Sequence, residues 1–200
     1  MLNSFTNALH ATALGTYTYL VYRGYTGGNP HFNVWILSSF FLVFVAKILG
    51  MIVHLPIVDH VRTRHNFFWI LISIVVVIMN IVTLAAVHAP LPALFVGSAT
   101  TFAFCALYVR TLFTATGHFY LVALALIIEY LICALLTQGR LRIAWLCILF
   151  SNVLWIVLSK SKFLLKNKFH NDIYHFALIG SSYLLYSTVD TGLWQAGAPD

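Results

Sequence analysis

Seven apolar stretches alternate with short polar breaks along the chain. They span about 5–22, 33–54, 67–87, 91–109, 118–136, 143–159 and 172–189, read as windows of sustained hydrophobicity. A helix that crosses a bilayer needs about 20 apolar residues. The first stretch is the weakest, because Asn7, His10 and several threonines interrupt it. The third is rich in β-branched residues (IVVVIMNIV). That does not argue for strands. In lipid only helices and closed barrels satisfy the backbone, and these runs are too long and continuous for barrel strands. Gly24, Gly27, Gly28 and Pro30 break the chain after the first stretch, and Pro56 ends the second. Pro90 and Pro92 make a tight third connection, while Gly117 and Gly139 flank the fifth stretch. The pattern predicts an all-α, seven-transmembrane-helix bundle that forms one integral membrane domain over residues 1–200.

Composition narrows this further. The chain is 61% hydrophobic and 8% charged, with a mean hydropathy of +0.91. A soluble domain carries about 25% charged residues, and a disordered chain more charge and less hydrophobicity, so both classes are excluded. The 11 Lys and Arg exceed the 5 Asp and Glu. No basic run is interleaved with stacking aromatics, so nucleic acid is not an expected partner. The excess instead reads as loop charge that sets orientation. With the N-terminus inside, the inner loops hold Arg62, Arg64, Arg110, Lys160, Lys162, Lys166 and Lys168, and the outer loops hold Arg23, Arg140 and Arg142. This predicts the N-terminus inside and the C-terminus outside, with Arg23 a local dissent. A chain this compact is expected in a bacterial inner membrane. No Lys or Arg precedes the first stretch, so it is read as a retained helix rather than a signal peptide. Cys105, Cys133 and Cys147 lie in apolar stretches without a CxxC and read as buried thiols. Trp35, Trp69, Trp145 and Trp194 fall near helix ends, where an interfacial belt is expected.

Nine histidines are many for so apolar a chain. In a seven-helix serpentine, His10, His54, His60, His65, His118, His170 and His175 lie on one membrane side, and only His31 and His88 on the other. Imidazole is the commonest metal ligand, and several at one end of a bundle can hold zinc. The stretch FHNDIYHFALIGSSYLLY is the most informative. Asn171 and Asp172 are residue types that cap a helix. Asp172 also stands three residues before His175, placed to orient that ring or to bind metal. His170 and His175 are five apart, about 140° around a helix, so they face the same way only if His170 precedes it. Gly50 lies one turn before His54, and Asp59 five residues after it, as a solvated loop carboxylate or a site residue. Lys47 and Glu129 are charges inside apolar stretches, which makes them functional candidates: a structural pair, a proton path or a substrate contact. No GxSxG, HExxH, Walker A or GxGxxG motif is present, so serine-hydrolase and ATP-driven chemistry have no support.

A His at the end of the second helix and a His pair opening the seventh resemble the CREST superfamily of membrane metal-dependent hydrolases. That superfamily includes the alkaline ceramidases and the progestin and adipoQ receptors. LGMIVH and HNDIYHFALIGSSYLLY look most like segments of uncharacterised bacterial multipass proteins with an HNDxxH signature. The resemblance implies a Zn²⁺ held by His54, His170 and His175, whose bound water attacks an amide of a membrane lipid. Asp59 or Asp172 would orient a ligand or the water. Two positions depart from the superfamily pattern: the histidine spacing is HxxxxH rather than HxxxH, and Gly50 stands where it has a serine. A zinc-dependent hydrolase of an amide-containing lipid is therefore the first functional expectation. A non-catalytic lipid or small-molecule sensor, or a structural membrane protein, is the second. A proton-coupled carrier using Lys47 and Glu129 is the third, although no paired halves are visible.

Overall fold

A chain with this much apolar surface has no water to satisfy its backbone, so its hydrogen bonds must close within each segment. The computed structural model shows that outcome; it describes residues 2–55, 58, 61–114, 118–167 and 169–194. Among them are eight helices and no strand: α1 (Leu2–Thr26), α2 (Val34–Val53), α3 (Arg62–Ala86), α4 (Leu91–Leu112), α5 (Tyr120–Leu136), α6 (Gly139–Leu158), α7 (Lys162–Asn167) and α8 (Phe169–Asp190).

Local chemistry sets the ends. The Asn33 side chain accepts the Ile36 N–H at 3.0 Å and caps α2. Pro90 precedes α4 and Pro92 lies in its first turn, where a missing N–H costs nothing. Arg142 Nε donates to the carbonyls of Ala134 (3.1 Å) and Thr137 (2.7 Å), so a cation closes the C-terminal end of α5. Several helices outrun their apolar stretches. Charged turns such as RTRH and GRLR are helical, so α3 starts at Arg62 rather than near residue 67, and α6 at Gly139 rather than 143. A hydropathy window marks the part of a helix that suits lipid, not where its hydrogen bonds begin. The short α7 had no apolar signal at all.

Successive helices pack side by side from α1 to α6; α6 then meets α8, and α8 returns against α1. The long helices thus close a ring. α3 also touches α5, which leaves α4 on the outside of the pair. α4 approaches through a stripe of small residues, Gly97, Thr101 and Cys105, all buried. A Cβ on Gly97 would stand 2.7 Å from Leu84 Cδ1. Small residues at such contacts let helices come close when packing, rather than the hydrophobic effect, drives association.

Four helices, α2, α3, α4 and α6, are long and apolar enough to cross a membrane. α5 is equally apolar but has 17 residues. The aromatic residues depart from expectation. Trp35 is exposed, but Trp145 and Trp194 are buried and packed together with centroids 5.4 Å apart, so they are not belt residues. The three cysteines are free, two of them buried.

At the end of α8, Gly192 takes φ +79°, and a Cβ there would meet His31 Nδ1 at 2.6 Å. Gly192→Ala is expected to destabilise the protein by about 1–2 kcal/mol from the left-handed backbone alone. Thermal unfolding in detergent checks this; an unchanged Tm would refute it.

Candidate functional site

The ring encloses a cavity of about 390 Å³, within the usual size range of small-molecule sites. α1, α2, α3, α5, α6 and α8 line it, and α4 does not. Its walls differ in character along the bundle. Phe40, Val43, Met79, Leu126, Trp145 and Leu178 make an apolar part, while Asn7, His10, Lys47, His54, His170 and His175 gather at the end nearest the N-terminus.

Chain arithmetic explains the gathering. His10 lies eight residues into α1, Lys47 six residues before the end of α2, and His175 six residues into α8. At about 1.5 Å per residue these three sit in one layer, about 9–12 Å inside the same end. Lys47 Nζ lies 3.1 Å from His175 Nδ1 and 3.2 Å from Nε2. The ammonium donates and a ring nitrogen accepts. The His10 ring stands edge-on to His175, with centroids 5.8 Å apart. His10 is buried, and neither of its nitrogens has a hydrogen-bond partner.

Asp172 is buried in the first turn of α8, where a carboxylate suits the helix dipole. Helix α8 starts at Phe169, so Asn171 and Asp172 lie inside it and do not cap it. Nor does Asp172 bond His175. Its Oδ1 accepts from Thr6 Oγ1 at 2.6 Å, tying α8 to α1, and its Oδ2 is buried without a partner. Asn171 Oδ1 instead accepts from Trp155 Nε1 at 2.8 Å.

His170 also lies within the helix, so the five-residue spacing turns it away from His175. Its ring packs beside Trp155, with centroids 6.3 Å apart, and Nδ1 donates to the Leu164 carbonyl at 3.2 Å. His54 ends α2 at the cavity mouth, exposed and edge-on to Trp69. His54, His170 and His175 therefore open on one cavity from two walls, the end of α2 and α8. Among the described residues, no three His, Cys, Asp or Glu side chains are grouped so as to hold a metal ion. With the side chains as they stand, the implied zinc has no ready donor set. Asp59 and His60 lie outside the described residues. His65, read from the sequence as a loop residue, is in α3 and accepts from Trp69 Nε1 at 3.1 Å.

Lys47 and Glu129 do not pair. Lys47 is bound to His175, and among the described residues no carboxylate neutralises it. Glu129 lies fully buried in mid-α5, beside Asn80 and Thr83 of α3. Of the three readings of these charges, the structural pair is not seen, because ring order and helix rotation set Lys47 against His175 and Glu129 against α3.

Three features escape a sequence reading centred on titratable pairs: Asn7 at the cavity wall, the bond from Tyr174 OH to Asn152 Oδ1 at 3.1 Å, and the bond from Thr6 to Asp172. A signal existed. A polar side chain in an apolar segment often finds its partner inside the bundle, and Thr6, Asn7 and His10 of α1 meet α8 or the cavity. Comparison with family models, curated proteins and solved structures finds no match to this chain.

Proposed function

We propose that this is a seven-helix multipass membrane protein that holds an acidic amphiphile, such as a fatty acid or another lipid with an anionic head, inside its bundle. One observation carries the reading: the Lys47 ammonium faces the cavity where its polar end meets its apolar part, with no described carboxylate to neutralise it. An intramembrane cation is costly without a counter-charge, and an acidic head beside Lys47 and His175 supplies one. The apolar walls then receive the chain of the ligand.

α1 and α8 are too polar overall to stand out as spans, yet they suit the same reading. Thr6, His10, Asp172 and His175 turn inward, while Phe5, Leu9, Ile173 and Phe176 are exposed. The lipid-facing surface of both helices is thus more apolar than their average. The excess of Lys and Arg in the predicted inner loops supports an inner-side location for the histidine end, with the C-terminus outside, and the compact chain suits a bacterial inner membrane.

The test uses quenching of Trp69, Trp145 and Trp155, which line the cavity, by brominated lauric acid and by its methyl ester. The acid is expected to quench saturably, at least about 10-fold more tightly than the ester, as loss of a charge-assisted bond predicts. Equal affinity for acid and ester would overturn the reading.

The second reading is a zinc-dependent hydrolase of a lipid amide at His54, His170 and His175, with Asp59 or Asp172 in support. It rests on the motif resemblance and on the three histidines opening on one cavity. Zinc content of the purified protein, wild type beside His175→Ala, decides it. One zinc per chain, lost in the variant, supports the hydrolase; a metal-free folded protein in the presence of added zinc rejects it.

A further inference from the structure

A second polar group lies deeper in the bundle and is not used by the amphiphile site. Glu129 is 0% exposed in mid-α5, and neither carboxyl oxygen makes a hydrogen bond of ordinary geometry. Asn80 of α3 is also 0% exposed, and neither its amide oxygen nor its nitrogen makes a hydrogen bond of ordinary geometry. Thr101 of α4 is 0% exposed, with its hydroxyl unpartnered. Such orphans are rare because each buried polar atom without a partner costs free energy, and three side chains here share the condition.

They also share a place. Asn80 and Thr83 stand beside Glu129. Thr83 and Ser39 are linked, hydroxyl to hydroxyl, at 2.8 Å. On α4, Gly97, Thr101 and Cys105 recur at four-residue spacing and form one buried stripe. A Cβ on Gly97 would lie 3.9 Å from Asn80 Oδ1, and Thr101 follows one turn later on the same buried stripe. The group therefore joins α2, α3, α4 and α5 through carboxyl, amide and hydroxyl oxygens. Among the described residues no Lys or Arg pairs with Glu129.

Hard oxygen donors around one carboxylate match a monovalent cation. A calcium site would be expected to bring more oxygen ligands and more negative charge. We propose that Glu129, Asn80, Thr83 and Thr101, with Ser39 behind Thr83, hold a dehydrated sodium ion in the middle of the bundle. The ion neutralises Glu129 and gives the orphaned oxygens a common partner. Ser39 and Thr83 also face the cavity, the side from which an ion would enter.

Thermal unfolding of the detergent-purified protein in sodium, potassium or choline chloride at equal ionic strength tests this. Sodium is expected to raise Tm saturably by about 5 °C over choline, because a ligand that binds only the folded state stabilises it by mass action. The shift should disappear in Glu129→Gln and shrink in Thr101→Val. Equal melting of the wild type in all three salts would overturn the proposal. If Glu129→Gln then melts no lower than wild type, Glu129 carries a proton in place of an ion. A sodium shift undiminished in both variants would place the ion elsewhere and equally overturn it. The wild-type salt comparison stands even if one variant fails to fold.

Discussion

Lys47→Met is expected to weaken binding of brominated lauric acid by about 10–100-fold and to leave the methyl ester unaffected. The ammonium is the one described cation at the cavity wall, held 3.1 Å from His175 with no described carboxylate beside it. A charge-assisted hydrogen bond contributes about 1.5–3 kcal/mol, and about 1.4 kcal/mol is a factor of ten in affinity. Methionine keeps an unbranched stem of similar length, so packing against α1 and α8 is preserved. It also removes an ionisable group from the bundle, so Tm should hold or rise. The paired outcome separates a recognition role from a structural one. A variant that binds the acid as tightly as wild type would show that the ammonium does not face the head group. A variant that loses acid and ester alike would show a collapsed cavity.

Trp145→Ala is expected to destabilise the protein by about 3 kcal/mol, lowering Tm by about 6–12 °C in detergent. The side chain is 1% exposed. It stacks nearly parallel on Tyr130, with centroids 5.9 Å apart, and meets Trp194, whose Nε1 donates to Thr188 at 2.9 Å. One ring thus joins α5, α6 and the end of α8. In lipid the gain comes from van der Waals contact rather than escape from water, so deleting the ring loses those contacts outright. Trp145→Phe should cost only about 1 kcal/mol, since it keeps a ring against Tyr130 and removes an indole N–H that has no acceptor. Equal costs for the two variants would refute the stacking account.

The two intramembrane charges show how far a sequence reading reaches. Their rarity marks Lys47 and Glu129 in an apolar chain, and the structure places each in its own polar group inside the bundle. Their partners were not legible. A residue advances 100° around a helix per step, so depth can be counted along the chain, but direction depends on which face each helix buries. α1 and α8 made this hardest, because their polar residues serve each other. Thr6 looks like a lipid-tolerated hydroxyl until Asp172 is beside it, and Asp172 looks like a cap until α8 is seen to start at Phe169.

That the chain is helical and suited to lipid was legible from the residues alone, since composition and the length of each apolar stretch dictate how the backbone must be satisfied. So was the placing of most histidines toward one end, because alternation of direction follows from helix number alone. Packing of the helices was needed to bring His175 to Lys47 and His10, to turn His170 to Trp155, to bind Asp172 to Thr6, and to stand α4 off the cavity. Those choices depend on helix rotation and order around the ring. Both are set by close packing between segments distant in sequence, which no local hydropathy records.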